Sequence, residues 1–176
     1  DTEAQNVIAA MHEVVTTKRA KSITVMTHAD GTVSVGIAGD LDNSKSIDII
    51  ERTQANLDKM YGKGRYNVGT TSLYEADGII PVKDGNVPGV CGEGKCVQAA
   101  SQNPSPVTGF ATMWRGDGPN PYPYTGLNMG NLSSNQMGFC ATCNAPQNQA
   151  IYSNTANQNK IMQHNTVNTI NKSLEP

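Results

Sequence analysis

Two short cysteine motifs constrain this chain more than any other feature of its sequence. Cys91-Gly-Glu93 comes first, and Cys140-Ala-Thr-Cys143 follows after a strand-like run and a long polar loop. Three thiolates can hold Zn²⁺ and leave its fourth position open, as catalytic zinc sites do. A nearby carboxylate that is not a ligand can then move protons. The pattern therefore predicts a fold that brings the two motifs together.

Helical geometry indicates how these four residues would share a site. Cys140 and Cys143 are three residues apart, so on a helix they lie on one face and can chelate one ion. Cys91 and Glu93 are two residues apart, which is about 200° around a helix. We therefore expect Glu93 beside the metal as a proton shuttle and not as a ligand. Placing both motifs at helix N-termini would lower the pKa values of the thiols.

Other uses of the cysteines stay open at this point. The four cysteines could form disulfides or a redox pair, although disulfides that close short loops add little stability. A structural four-cysteine zinc site would need Cys96, five residues after Cys91 and about 140° around the same predicted helix. That geometry is poor for a shared ion, so we interpret Cys96 as a buried apolar residue. Catalytic zinc is the favoured interpretation.

The charge of a three-thiolate site leads to a further expectation. Three thiolates outweigh the charge of Zn²⁺, and an excess of negative charge weakens activation of a bound water, so cationic neighbours are expected. Lys95, four residues after Cys91, and Arg115, at the end of the intervening strand, are the candidates. The histidines are dispersed along the chain, and none is required for the metal site.

The spacing of apolar residues predicts a single α/β domain over residues 1–176. Helices are expected at 3–19, 46–61 and 91–102, with a last helix carrying Ile161, Val167, Ile170 and Leu174. Strands are expected as a hairpin over 22–37, a strand within 65–74, and a buried strand over Val107–Trp114. The segment 75–89 has the composition of a loop.

Composition limits the partners that this chain can have. A net charge of −2 gives no overall attraction to nucleic acid, so such binding would need a local patch. Basic residues do gather at two places, namely Lys18, Arg19 and Lys21, and Lys59, Lys63 and Arg65. No apolar run is long enough to span a bilayer, so no membrane partner is expected. Residue 1 has the character of a domain boundary, which predicts a longer parent protein.

The order of motifs and elements resembles the cytidine deaminase fold. In that family a helix and a β-hairpin precede a helix with His/Cys-x-Glu, then a strand, then a helix with Pro-Cys-x-x-Cys. The resemblance covers about 140 residues of this chain. It implies a three-layer α/β fold with a central mixed sheet flanked by helices. It also implies that Cys91, Cys140 and Cys143 ligate zinc and that Glu93 is the catalytic acid/base.

Two departures from the family pattern resemble the deaminase domains of bacterial polymorphic toxins, including YwqJ-like ones. Phe139 stands where the family usually has proline, and an insertion over about 44–89 separates the hairpin from the first motif. The resemblance implies a domain that is secreted within a larger toxin and acts in the cytoplasm of a recipient cell. It also implies a cognate immunity protein as partner.

These expectations combine into zinc-dependent deamination of cytosine in nucleic acid. Single-stranded DNA is favoured, with duplex DNA or RNA left open, because the base must leave its stack. The aromatics that could hold it are Trp114, Phe139, Tyr122 and Tyr124, and Asp40 and Asn43 correspond to the sugar-binding region of nucleoside deaminases. The alternatives are a deaminase of free nucleosides or nucleotides and a zinc-stabilised interaction domain without catalysis.

Overall fold

The computed structural model describes residues 2–122 and 136–156. Its helices are α1 (Thr2–His12), α2 (Ser44–Tyr61), α3 (Gly92–Ser101), α4 (Ala141–Asn144) and α5 (Pro146–Ala156), with one 3₁₀ turn at Glu75–Asp77. Its strands are β1 (Ser22–His28), β2 (Val33–Ile37), β3 (Tyr66–Val68) and β4 (Val107–Trp114). The expected last helix and Tyr124 lie outside the described residues.

The four strands form one mixed sheet in the order β3-β2-β1-β4. β1 runs antiparallel to both β2 and β4, and β2 runs parallel to β3. The N-terminal end of β1 therefore lies at the same edge of the sheet as the C-terminal ends of β2 and β4. The loops that lead into β1 and out of β2 and β4 meet at this edge.

Helices cover both faces of the sheet, which gives the three layers that the sequence predicted. Ile23 and Val25 of β1 point to one face and pack in a core with α1 and α2. Met26 points to the other face and packs with α3 and α5. Because side chains alternate along a strand, a strand buried on both faces supplies both cores. The α/β class with a central mixed sheet flanked by helices is confirmed.

Two predicted elements are shorter in the structure, and one apolar helix residue is exposed. Helix α1 ends at His12 and does not reach residue 19, because four β-branched residues in a row, 14–17, disfavour helix. In α2 the buried face carries Ile49 and Ile50, whereas Ile47 is 42% exposed. The strand expected within 65–74 is only Tyr66–Val68, since β3 pairs with β2 over three residues.

A close contact between two glycines seats α3 on the sheet. A Cβ atom at Gly36 of β2 would lie 1.8 Å from the carbonyl oxygen of Gly92, and one at Gly92 would lie 2.7 Å from that of Gly36. Only residues without side chains allow the helix to approach the strand so closely. The first turn of α3, which carries the first motif, is therefore held directly against β2.

Candidate metal centre

The fold brings three thiols from both motifs into one cluster. The sulfur atoms of Cys91, Cys140 and Cys143 all lie within 4.8 Å of one another, and Cys91 Sγ is 3.6 Å from Cys140 Sγ. Tetrahedral zinc with Zn–S bonds of about 2.3 Å needs sulfur separations of about 3.8 Å. All four cysteines are free thiols, so no disulfide competes for these ligands. The cluster is able to bind a metal ion.

Both motifs begin helices, as expected from the sequence. Cys91 is the N-cap residue of α3, and Cys140 is the N-cap residue of α4. Hydrogen bonds from Cys143 and Cys91 lower the pKa of Cys140. Contact with that sulfur raises the pKa of Cys91 and of Cys143. A bound cation would therefore be needed to deprotonate all three ligands.

The carboxyl group of Glu93 is buried beside the thiols. Its residue is 5% exposed, and burial, together with the nearby charge of Cys140, raises its pKa from 4.5 to about 7. Thr112 Oγ1 donates a hydrogen bond to Glu93 Oε1 at 3.2 Å, which opposes that rise. A carboxyl group with a pKa near neutrality can both accept and donate protons at the pH of a cell.

Thr112 is a site residue that the sequence interpretation missed. It lies on β4 opposite Thr24 of β1, and the two hydroxyl oxygens are 2.9 Å apart. Both threonines are buried. Alternation along β4 puts Thr112 on the face opposite Ala111 and Met113, so a polar residue at a buried strand position was the available signal.

Two uncharged side chains contact the thiols. Asn86 Nδ2 lies 3.1 Å from Cys91 Sγ, and Tyr152 Oη lies 3.7 Å from Cys143 Sγ. Burial raises the pKa of Tyr152, so its hydroxyl stays a neutral hydrogen-bond donor. Sequence reasoning missed both residues, because one lies in a loop and the other in an Asn/Gln-rich stretch without apolar periodicity.

Loop 79–86, which belongs to the predicted insertion, is fastened to the second motif. Thr142, between the two cysteines of that motif, donates to the carbonyl oxygen of Asn86 at 2.7 Å. Asn148 of α5 accepts from Ile80 N at 2.8 Å and donates to Ile80 O at 2.9 Å. These bonds hold Asn86 against Cys91 of the first motif.

Lys95 lies behind the first motif, where the sequence placed a cation. The residue is fully buried, and its Nζ donates to the carbonyl oxygens of Ile37 at 2.7 Å, of Gly39, and of Val90 at 3.3 Å. Burial lowers its pKa to about 8, although the charges of Cys91 and others oppose that shift. The ammonium group thus joins β2 to the first turn of α3 without contacting a thiol directly.

The structure does not bring Arg115 and Trp114 to the thiols. The Arg115 guanidinium donates to the carbonyl oxygens of Val15 at 3.0 Å, Arg19 at 2.8 Å and Ala20 at 3.0 Å. Trp114 Nε1 donates to Gly118 O at 3.3 Å. Arg115 contacts the loop before β1 because that loop adjoins the C-terminal end of β4, whereas Trp114 contacts the segment that follows β4.

Aromatic residues form a half-buried wall next to Cys140. Phe139 packs edge-on against Phe110 with ring centroids 5.4 Å apart, and Tyr122 packs against the same core. Phe110 was missed as a site residue because the sequence interpretation treated its strand only as core. Alternation places it on the face of β4 that carries Thr112.

Asp40 and Asn43, the two polar residues expected near the sugar of the substrate, differ in their surroundings. Asn43 caps α2, with its Oδ1 accepting from Lys45 N at 2.9 Å. Asp40 lines a cavity of about 310 Å³ that also includes Asp42 and Val90, the residue before Cys91. Asp40 is therefore near the first motif, whereas Asn43 has a capping role.

Cys96 and His28 have structural contacts away from the thiol cluster. Cys96 is buried, and its Sγ donates to Ser34 O at 3.3 Å. The ring of His28 lies 2.7 Å from Ser34 Oγ and 2.7 Å from Ser105 O. Within residues 2–122 and 136–156, the thiols that lie close enough to share an ion are those of Cys91, Cys140 and Cys143, and Cys96 is not among them.

Among the described helices, none combines the length and the apolar character needed to cross a bilayer. Comparison of this chain with protein-family models, with curated proteins and with solved structures finds no match.

Proposed function

We propose that this domain is a zinc-dependent deaminase that converts cytosine to uracil in nucleic acid. The observation that carries the proposal is the buried carboxyl of Glu93, with a pKa of about 7, beside a cluster of three thiols. A structural zinc site has no use for such a group. A hydrolytic zinc site needs one.

The donor set fits zinc in a catalytic role. Three sulfur ligands at this spacing suit tetrahedral Zn²⁺, and Cys96 is turned away, so no fourth cysteine closes the site. Zn²⁺ held by three protein ligands supplies the Lewis acidity that makes water a nucleophile near neutral pH. Asn86 and Tyr152 would stabilise the thiolate charge as neutral donors.

Glu93 would carry the protons of the reaction. Deamination adds the oxygen of one water molecule to C4 of cytosine and releases the amino group as ammonia. Protons must therefore pass from water to N3 and to the leaving nitrogen, and a single carboxyl group can relay both. Thr112 orients Glu93 for this relay through its hydrogen bond to Oε1. A pKa of about 7 lets the group serve as base and then as acid.

The aromatic wall of Phe110, Phe139 and Tyr122 would hold the pyrimidine ring. The rings of Phe110 and Phe139 are half-buried and adjoin the second cysteine motif. Stacking on an aromatic face contributes about 1–3 kcal/mol per base. The wall would also keep bulk water from the reacting carbon.

A second candidate is deamination of a free nucleoside. The cavity beside Val90 is lined by Asp40, Asp42 and Glu75, and none of them forms an ion pair within the part of the chain that the structure describes. Unpaired carboxylates suit sugar hydroxyls and repel phosphates. This observation favours a substrate without phosphate at that position.

The test compares uracil or uridine formation by zinc-loaded wild type, Glu93→Gln and the control Glu51→Gln, an exposed residue of α2. Substrates are single-stranded DNA, duplex DNA, RNA and free cytidine. We expect product with wild type and Glu51→Gln, and a loss of at least about 100-fold with Glu93→Gln. Absence of product from every substrate in folded, zinc-loaded wild type would refute the proposal and favour a non-catalytic zinc domain.

A further inference from the structure

An exposed basic segment lies before β1 and was not used by the proposed chemistry. Lys18, Arg19 and Lys21 are all exposed. The ion pairs of the described residues involve other cations, Arg52 and Arg65, and the one carboxylate bonded to this loop is that of Asp117, which accepts from the Thr17 hydroxyl. Three exposed cations within four residues outnumber that single carboxylate and create a local positive potential on a chain whose net charge is −2.

The segment lies at the edge of the sheet that carries the metal centre. The backbone N–H of Arg115 donates to Lys21 O at 2.6 Å. Thr112, the hydrogen-bond partner of Glu93, precedes Arg115 by three residues, which corresponds to about 10 Å along the chain. A strand whose target base lies at Glu93 would therefore pass close to Lys21.

Arg115 fixes the backbone of the basic segment. Its guanidinium donates to carbonyl oxygens at Val15, Arg19 and Ala20, and Ala20 has the unusual φ of 48°. The buried guanidinium thus orders the loop and adds its own positive charge. Among the described residues its Nε finds no hydrogen-bond partner.

A cavity adjoins this segment and includes the only tryptophan of the chain. Its volume is about 410 Å³, within the range of small-molecule sites. The lining includes Trp114 and Arg115 together with His12 and Asn120. Trp114 is half-buried, and its indole N–H is already bonded to Gly118 O. The cavity combines an aromatic ring with cationic and amide groups, which suits a nucleobase.

We infer that Lys18, Arg19, Lys21 and Trp114 bind a nucleotide that flanks the target base on a single strand of nucleic acid. The cations would contact phosphates, and the indole would stack on the flanking base. A duplex is disfavoured because its bases are already stacked on one another. The presence of a target base at Glu93 rests on the proposed deamination, but the contacts with the flanking nucleotide do not need that reaction.

The first experiment uses Trp114 as its own reporter, because the chain has one tryptophan. A labelled thymidine oligonucleotide of about 12 residues cannot be deaminated and spans a typical site. The anisotropy of the label measures binding of the oligonucleotide. We expect binding to quench the fluorescence of Trp114, and we expect added salt to reverse the quenching. An absence of binding, or saturation of the anisotropy without a change in emission, would overturn the inference.

The second experiment compares two double variants with the same change in charge. Lys18→Gln with Lys21→Gln should reduce the slope of log K against log salt by about 1.4, or about 0.7 per cation. Lys59→Gln with Lys63→Gln, near the C-terminal end of α2, should leave the slope unchanged. Equal slopes for both variants would overturn the inference. Trp114→Ala should weaken binding roughly tenfold or more, whereas Trp114→Phe keeps an aromatic face and most of the affinity.

Deamination of free cytidine in the same proteins separates this inference from the proposed function. If wild type deaminates cytidine but the oligonucleotide leaves Trp114 unquenched, the function stands and the inference fails. If no substrate is deaminated but quenching and the salt slope behave as described, the inference stands and the function fails. Thermal melting of each variant verifies that the fold is retained.

Discussion

At the scale of single residues, Glu93 is an ionisable group buried in the protein interior. Its carboxyl group is buried near the Cys140 sulfur, whose negative charge raises the pKa of the acid, and one threonine hydroxyl donates a hydrogen bond to it. Such a position costs stability and is retained in proteins where an acid/base is needed. The thiols beside it contact the neutral side chains of Asn86 and Tyr152, and the ammonium group of Lys95 lies behind the first motif.

Glu93→Gln should stabilise the metal-free protein in a pH-dependent way. The folded state has a pKa of about 7 and the unfolded state one of 4.5, so the native state binds more protons between these values. Stability therefore falls as pH rises through this window, by up to about 3 kcal/mol for one group. Urea unfolding of the metal-free proteins, prepared with a chelator, should show a higher free energy of unfolding for Glu93→Gln than for wild type at about pH 8. At about pH 4 the two should not differ. An equal difference at both pH values would contradict the burial of an acid at this position.

Tyr152→Phe and Asn86→Ala should each weaken zinc binding roughly 10- to 100-fold, because each removes a donor to a thiolate. Tyr74→Phe, at an exposed residue, is the matched control. Competition with a chromophoric chelator gives the affinities. In the Co²⁺-substituted protein, the sulfur-to-metal absorption band should shift with Tyr152→Phe. Unchanged affinity and an unchanged band would show that these contacts do not act on the thiols.

At the scale of elements, the site depends on how α3 and α4 are placed. Each helix has a cysteine as its N-cap residue, and the contact of Gly36 with Gly92 lets α3 rest directly on β2. Loop 79–86 then joins the two motifs through Thr142 and Asn148. The metal centre is thus assembled from elements that are far apart in sequence.

Gly36→Ala should damage the metal centre without touching a ligand. The added Cβ would meet the carbonyl oxygen of Gly92 at 1.8 Å, so α3 must shift and carry Cys91 away from the other thiols. We expect a loss of about 1–3 kcal/mol in stability and a weaker zinc affinity. Gly31→Ala, in the open hairpin turn, should cost stability through its positive φ but leave zinc affinity intact. Equal zinc affinity in both variants would contradict the claim that the contact of Gly36 with Gly92 positions α3 and its cysteine.

At the scale of the whole molecule, the alternation and spacing of apolar residues predicted the layered sheet. These patterns could not predict hydrogen bonds between residues that are distant in sequence. The hairpin and Val107–Trp114 were predicted because their patterns are local. The carbonyl partners of Arg115 lie about 100 residues earlier in the chain, and nothing near Arg115 indicates them. Asn86 and Tyr152 lie only five and nine residues from the cysteines they contact, and they escaped prediction because one lies in a loop and the other in a stretch without apolar periodicity. The cysteine motifs were found because metal ligation restricts residue type and spacing together.

Zinc content provides a prediction for the whole domain. Wild type and Cys96→Ser should each bind one zinc per chain, since Cys96 is bonded to Ser34 and lies outside the cluster. Cys140→Ser should lose the metal and with it the stability that binding confers. Metal analysis by mass spectrometry, paired with thermal melting, measures both effects. Loss of zinc from Cys96→Ser at an unchanged melting temperature would contradict the three-thiol assignment.

The most direct measurement is the mass of the base formed from single-stranded DNA in ¹⁸O-labelled water by zinc-loaded protein. Hydrolytic deamination predicts uracil heavier by about two mass units with wild type. It predicts almost no uracil with Glu93→Gln at the same zinc content. Absence of labelled uracil with folded, zinc-loaded wild type, or its equal formation by Glu93→Gln, would contradict the assignment of Glu93 as the acid/base of a zinc deaminase.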